Sequence, residues 1–158
     1  MRFPKLTAFL LSLPLFILIS CTSTEEVERE NIYYGVALPM TGAQETPPIT
    51  VSATGTIDAN YNRFTKTLTY KVTFSGLTGN ATAAHIHGLG EVGVKADVVQ
   101  TFSGFPAKTS GTYSGTLLVE EIRIKEEDLL NGRYYINIHT AANSQGEIRG
   151  QLILTKKQ

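Results

Sequence analysis

Lys66-Thr67-Leu68-Thr69-Tyr70-Lys71-Val72-Thr73-Phe74 is the stretch that decides the fold. Side chains two apart on an extended chain share a side. Leu68, Tyr70, Val72 and Phe74 therefore make an apolar face, and Thr67, Thr69, Lys71 and Thr73 a polar one. This alternation, with its β-branched threonines, predicts an antiparallel strand with one face in the core and one in water. Just upstream, Asn60-Tyr61-Asn62-Arg63 has the residue types of a hairpin turn. It follows a second expected strand, about Val51 to Tyr61, whose Ala53, Gly55, Ile57, Ala59 and Tyr61 share one face.

Further out the pattern repeats in short pieces. Ile32 to Leu38 reads as a first strand ended by Pro39, and a loop through Pro47-Pro48 follows. Beyond Phe74, the turn Ser75 to Asn80 leads into a strand Ala81 to His87. Gly88, Gly90 and Gly93 loosen the chain before another strand, Ala96 to Phe102. Turn-rich Ser103 to Gly111 precedes Tyr113 to Val119, with Ile122 as that strand's farthest reach. Lys125 to Asn131 is the one helical piece, acidic in its first turn and stopped by Asn131-Gly132. Arg133 to His139 and Glu147 to Thr155 form a last antiparallel hairpin. In the second of these, Ile148, Gly150, Leu152 and Leu154 face one way, and Glu147, Arg149 and Gln151 the other. About eight short strands and one short helix predict an all-β, antiparallel Greek-key sandwich or barrel.

The chain has 158 residues, enough for one domain with a real core. It carries 14 basic and 14 acidic residues; without Arg2 and Lys5 the basic count falls to 12, a net charge of −2. No basic stripe interleaved with aromatics marks a nucleic-acid surface. Its single cysteine excludes an intramolecular disulfide, so stability must come from packing and strand pairing.

That cysteine has a context. Met1 to Lys5 is positively charged and Leu6 to Ile19 is apolar, the layout of a signal peptide. At about 14 residues the apolar run is short for a ~30 Å hydrocarbon core. Leu18-Ile19-Ser20-Cys21 resembles the bacterial lipobox. The resemblance implies that residues 1–20 are removed and that Cys21 becomes an acylated N-terminus, holding the chain to a membrane of the bacterial cell envelope on its extracytoplasmic side. The polar, acidic segment after Cys21 reads as a flexible tether over residues 21–31, with the folded domain at 32–158.

All three histidines fall in two expected strands. His85 and His87 share a face opposite Ala84 and Ile86. His139 shares a face with Tyr135 and Asn137, opposite Tyr134, Ile136 and Ile138. If these strands are neighbours, three outward imidazoles converge. They would then suit a copper or zinc ion, with Glu45, Glu147 or water completing the sphere. The competing reading gives His85, His87 and His139 only hydrogen bonds that hold the strands together, with Asn137 and Thr140 as partners. Glu147 and Arg149 lie on one strand face, where an ion pair with each other or with Glu45 is the plain structural expectation; Glu45, Asn137, Glu147 and Arg149 are taken together as a structural polar network.

Four ordered blocks carry a family resemblance: Gly42-Ala43-Gln44-Glu45-Thr46-Pro47-Pro48, Ala83-Ala84-His85-Ile86-His87-Gly88, Gly132 to Asn143, and Gly146-Glu147-Ile148-Arg149-Gly150-Gln151-Leu152. Together they resemble the CHRD domain, named after chordin and also found in bacterial exported proteins and lipoproteins. The resemblance covers nearly all of Ile32 to Leu154 and implies an all-β module acting in binding or structure. It defines the activity poorly. Ser144 stands where the family's final turn usually has proline. The growth-factor partner of the animal protein does not carry over to a bacterial lipoprotein.

His-x-His on a strand also resembles part of the copper site of Cu/Zn superoxide dismutase. Such an enzyme needs more histidines, a zinc-binding Asp and normally a disulfide, which three histidines and one cysteine do not supply. No nucleophile elbow, carboxylate dyad or phosphate-binding loop is present. A small redox or hydrolytic enzyme is accordingly the weakest reading, and the chain is expected not to be an enzyme. Its partners would be the membrane, through the lipid, and a protein or small ligand.

Overall fold

A computed structural model describes residues 31–157. The leader, Cys21 and all but the end of the tether lie outside the described residues. The chain forms strands β1 (Ile32–Thr41), β2 (Thr54–Asn62), β3 (Thr67–Ser75), β4 (Ala81–Gly88), β5 (Val98–Thr101), β6 (Gly111–Leu118), β7 (Tyr134–Thr140), β8 (Ile148–Gln151) and β9 (Thr155–Lys156). A short α-helix, α1 (Glu126–Leu130), precedes β7, and a single 3-10 turn (Gly42–Gln44) follows β1. Every strand pair is antiparallel, in the order β5-β4-β7-β8-β1-β2-β3-β6, with β9 pairing β1 to the side. The all-β antiparallel expectation holds, as a single sheet curled into a half-barrel.

The inner face follows the alternation. Leu68, Tyr70, Val72 and Phe74 of β3 are buried against Ile57 and Tyr61 of β2, Ala84 and Ile86 of β4, and Ile136 and Ile138 of β7. Each of the leucine, isoleucine, valine and phenylalanine side chains among them contributes about 1.5–3 kcal/mol on leaving water. The curl is closed by side chains. Phe102, just after edge strand β5, stacks on Tyr70 at 5.0 Å and on Tyr113 of edge strand β6 at 4.9 Å, while Phe105 stacks on Phe74 at 5.2 Å.

Several boundaries differ from expectation for local reasons. β1 does not end at Pro39 but runs to Thr41. Its register shifts between Gly35 and Leu38, and a proline just past a bulge is tolerated. Ala37, at the bulge with φ +49°, gives its N–H to Asp58 Oδ1 at 2.9 Å. β2 starts at Thr54 rather than Val51 and runs through Asn62, so the β2–β3 turn is Arg63 to Lys66. Asn62 Oδ1 accepts the N–H groups of Phe64 and Thr65 at 2.9 and 3.0 Å.

β5 is shorter than Ala96 to Phe102, and β6 starts at Gly111 and stops at Leu118. The expected last strand is two pieces. Leu152 N–H bonds Tyr134 O, Ile153 N–H turns back to Gln151 O, and the chain then moves from β7 to pair with Tyr33 and Tyr34 of β1.

Candidate metal centre

β4 and β7 are neighbours in a register that sets His85 opposite Asn137, His87 opposite Tyr135, and Ala83 opposite His139. Their shared core face carries Ala84, Ile86, Ile136 and Ile138, so all three histidines stand on the other side. That side is not the solvated face that alternation predicts. The loop between β4 and β5 folds back over it, and His87 is left 7% exposed and Arg149 only 1%. Asn137, Tyr135, Glu147 and Gln151 are buried there too.

Arg149 holds this cover down. Its guanidinium donates to Val94 O (2.9 Å), Glu91 O (2.8 Å), Gln151 Oε1 (2.8 Å) and Thr46 Oγ1 (3.3 Å), and its Cζ lies 3.4 Å from the centroid of the Tyr135 ring. Gln151 Nε2 adds bonds to Gly90 O and Gly132 O at 2.7 Å. His87 stacks on the same Tyr135 ring, centroids 4.8 Å apart and planes within 2°.

The expected ion pairs of Arg149 with Glu147 or Glu45 are absent among the described residues. Glu147 instead accepts Thr78 N–H at 2.7 Å on Oε1, and Thr78 Oγ1 at 2.7 Å, Thr140 Oγ1 at 2.6 Å and Asn143 Nδ2 at 3.1 Å on Oε2. Burial pushes its carboxyl up, but these bonds outweigh it and hold the pKa below the usual value. With its oxygens so occupied, Glu147 is no ligand for the histidine site.

The imidazole nitrogens meet. His85 Nδ1 is 3.0 Å from His139 Nε2, and one nitrogen from each of the three rings falls within 4.8 Å of the others. Tautomers follow from the outer contacts. His87 Nδ1 is 2.9 Å from Ala96 O and His139 Nδ1 is 3.0 Å from Ser144 O, and a carbonyl only accepts. Both Nδ1 atoms therefore carry hydrogen. Burial lowers the pKa of all three rings, His85 to about 4 with further repulsion from His139 and His87, so the rings are neutral near pH 7.

The inner Nε2 atoms of His87 and His139 are then lone pairs, and each lies 2.9 Å from Asn137 Oδ1. Two lone pairs cannot bond an acceptor. The carboxamide ends are nearly isosteric, so the hydrogen-bond inventory assigns the NH₂ end to the histidines. His139 Nε2 still has one lone pair facing both that amide and His85 Nδ1. The two N–H groups of Asn137, with His85 Nδ1–H in that tautomer, are enough to satisfy the Nε2 lone pairs of His87 and His139 in the absence of an ion. A cation accepts several such lone pairs at once, and outer N–H groups held by backbone carbonyls are how metal-ligating histidines are commonly oriented.

Glu45 sits behind Asn137. It is buried, its Oε1 has no hydrogen-bond partner, and burial pushes its pKa up to about 7 against the pull of Arg149. Gly146 makes room for it: with φ +131°, a Cβ there would lie 2.3 Å from Glu45 Oε1 and 2.7 Å from the end of the Asn137 carboxamide that points away from the histidines. Tyr135 and Gln151, which complete the site, were signalled only by sharing strand faces with Asn137 and Arg149. A groove of about 920 Å³ over the outer face of β1, β2, β3 and β6, near Tyr34, Asp58 and Lys71, is separate from the histidines.

No curated protein and no solved structure shows significant similarity to the chain. The family model of the CHRD domain matches residues 36–152, which span the bulge of β1, both histidine strands and Arg149 and Gln151 of β8. That family is not known as enzymatic, and membership supports a binding or structural module. With most of its length matched, from the first strand to Leu152, the chain belongs to the CHRD domain family.

Proposed function

We propose that the chain is a metal-binding module of the cell envelope, tied to a membrane through Cys21 and taking a copper ion on His85 Nδ1, His87 Nε2 and His139 Nε2. The observation that carries this reading is the convergence of three neutral imidazoles whose inner nitrogens lie within 4.8 Å of one another. Metal–nitrogen bonds of about 2 Å place tetrahedral ligands about 3.3 Å apart, so the rings close by small rotations only. An all-imidazole site without a bound carboxylate suits copper and zinc, and the usual affinity order favours copper. Three protein ligands leave a position open for water or a small ligand.

The anchor is supported by the charged start, the apolar run and the placement of the one cysteine. Glu147 is fully engaged by Thr78, Thr140 and Asn143, which leaves the three imidazoles as the ligand set. Isothermal titration of untagged protein with Cu(II) and Zn(II) tests the site. One equivalent of copper should bind in the micromolar range or tighter, above zinc in affinity, and His85→Ala/His87→Ala should lose it. Binding weaker than micromolar, or unchanged in that variant, leaves the histidines a purely structural role.

A further inference from the structure

The two most exposed large apolar side chains among the described residues sit together at one end of the half-barrel. Phe64, at the tip of the β2–β3 turn, is 84% exposed, and Ile122, in the loop between β6 and α1, is 79% exposed; Leu118 at the end of β6 is 55% exposed. Glu126 binds their supports into one platform. Its carboxylate takes Arg63 Nε at 2.6 Å, Lys66 Nζ at 2.5 Å and Tyr61 OH at 2.6 Å, and its N–H donates to Glu121 Oε1 at 3.3 Å. Val119 N–H also bonds Lys66 O at 2.8 Å. Turns at the opposite end, 75–80, 103–110 and 141–146, carry none of the exposed large apolar side chains.

The chain's entry lies at the same end. Arg63 N–H bonds Asn31 O at 2.8 Å, and Lys157 N–H bonds Ile32 O at 2.8 Å. Phe64 therefore stands beside the point from which the segment toward Cys21 departs. The ten residues from Cys21 to Glu30 reach at most about 35 Å when extended. On so short a leash, even weak insertion is populated through high effective concentration.

We propose that this end rests on the lipid bilayer, with Phe64 and Ile122 inserted at the headgroup boundary; the proposal rests on the anchoring reading above. Arg63 and Lys66 flank Phe64 with aliphatic stems that can lie along the apolar layer while their charges stay at its surface. Charges here are mixed. Lys125, Arg123, Lys156 and Lys157 stand with Glu120, Glu121 and Glu127, and Glu120 pairs with Arg123 at 3.1 Å. Apolar insertion, more than charge attraction, then holds the face, so contact should depend little on salt. It would fix the domain's orientation on the surface as well as its distance from it.

The chain has no tryptophan, so Phe64→Trp and Ile122→Trp each introduce a single indole reporter. Lys108→Trp marks the opposite end. Full-length protein purified from membranes is reconstituted into phosphatidylethanolamine–phosphatidylglycerol vesicles with or without brominated acyl chains. Bromolipid should quench the indole of the Phe64→Trp and Ile122→Trp proteins by about twofold or more and leave that of Lys108→Trp unchanged. Unquenched indoles in vesicle-bound Phe64→Trp and Ile122→Trp would overturn the resting face and leave anchoring intact. A blue-shifted but unquenched indole in Phe64→Trp would mean that protein covers the face, and also overturns the proposal. Wild-type protein that stays out of the vesicles removes the anchor and this proposal together.

Discussion

The two halves of the sheet use the same alternation and treat their outer faces differently. Over β2 and β3 the outward residues Thr69, Lys71 and Thr73 are exposed. Over β4, β7 and β8 the corresponding positions hold His87, Tyr135, Asn137, Arg149 and Gln151, all buried beneath a loop. Threonine and lysine are satisfied by water. Arginine, glutamine and asparagine can instead supply the hydrogen bonds that make burying a loop's carbonyl groups tolerable. The second half thereby gains a polar interior, sealed from one side by the apolar core, where imidazoles stay neutral.

Arg149→Ala should break that difference most severely. It strips donors from Val94 O, Glu91 O and Gln151 Oε1 and empties a large buried volume. A loss of about 3–5 kcal/mol is expected in urea denaturation. Gly146→Ala comes next, at about 2–3 kcal/mol, because φ +131° strains any side chain and its Cβ would strike Glu45. Lys71→Ala on the open half should change stability by less than about 0.5 kcal/mol. Comparable losses at Lys71 and Arg149 would erase the contrast between the halves.

Between these effects and the last lies a pH signature. The three lowered histidine pKa values mean that the unfolded chain binds protons first as pH falls below 6.5, so their contribution is complete above 6.5 and is lost toward pH 4, the value of His85. Glu45 acts in the opposite sense. Raised from 4.5 to about 7, it stabilises the fold fully below 4.5 and loses that contribution as pH rises to 7. The two offset each other, so Glu45→Gln should steepen the fall in Tm between pH 6.5 and 4.5. A Tm profile unchanged by Glu45→Gln would mean that its carboxyl is not held protonated.

Most of the inner face is legible in the sequence, because Leu68 to Phe74 alternates without interruption and Tyr134, Ile136 and Ile138 keep the same period. The shared face of His85 and His87 followed from the same period. Their burial did not, because Leu89 to Asp97 is a glycine-loosened loop without periodicity, and Arg149 holds it through backbone carbonyls that leave no mark on residue type. An ion pair from Arg149 to Glu147 was the natural expectation from spacing, yet Thr78, from a turn about 70 positions away, claims the carboxylate. Glu126 was misleading in the same way. By spacing it is a first-turn helix charge, yet it gathers Tyr61, Arg63 and Lys66 from another hairpin.

X-ray absorption at the copper edge of the loaded protein tests the central claim most directly. Three imidazole nitrogens are expected at about 2.0 Å, with one scatterer fewer in His139→Ala. A shell dominated by oxygen, or one indifferent to that substitution, would contradict it.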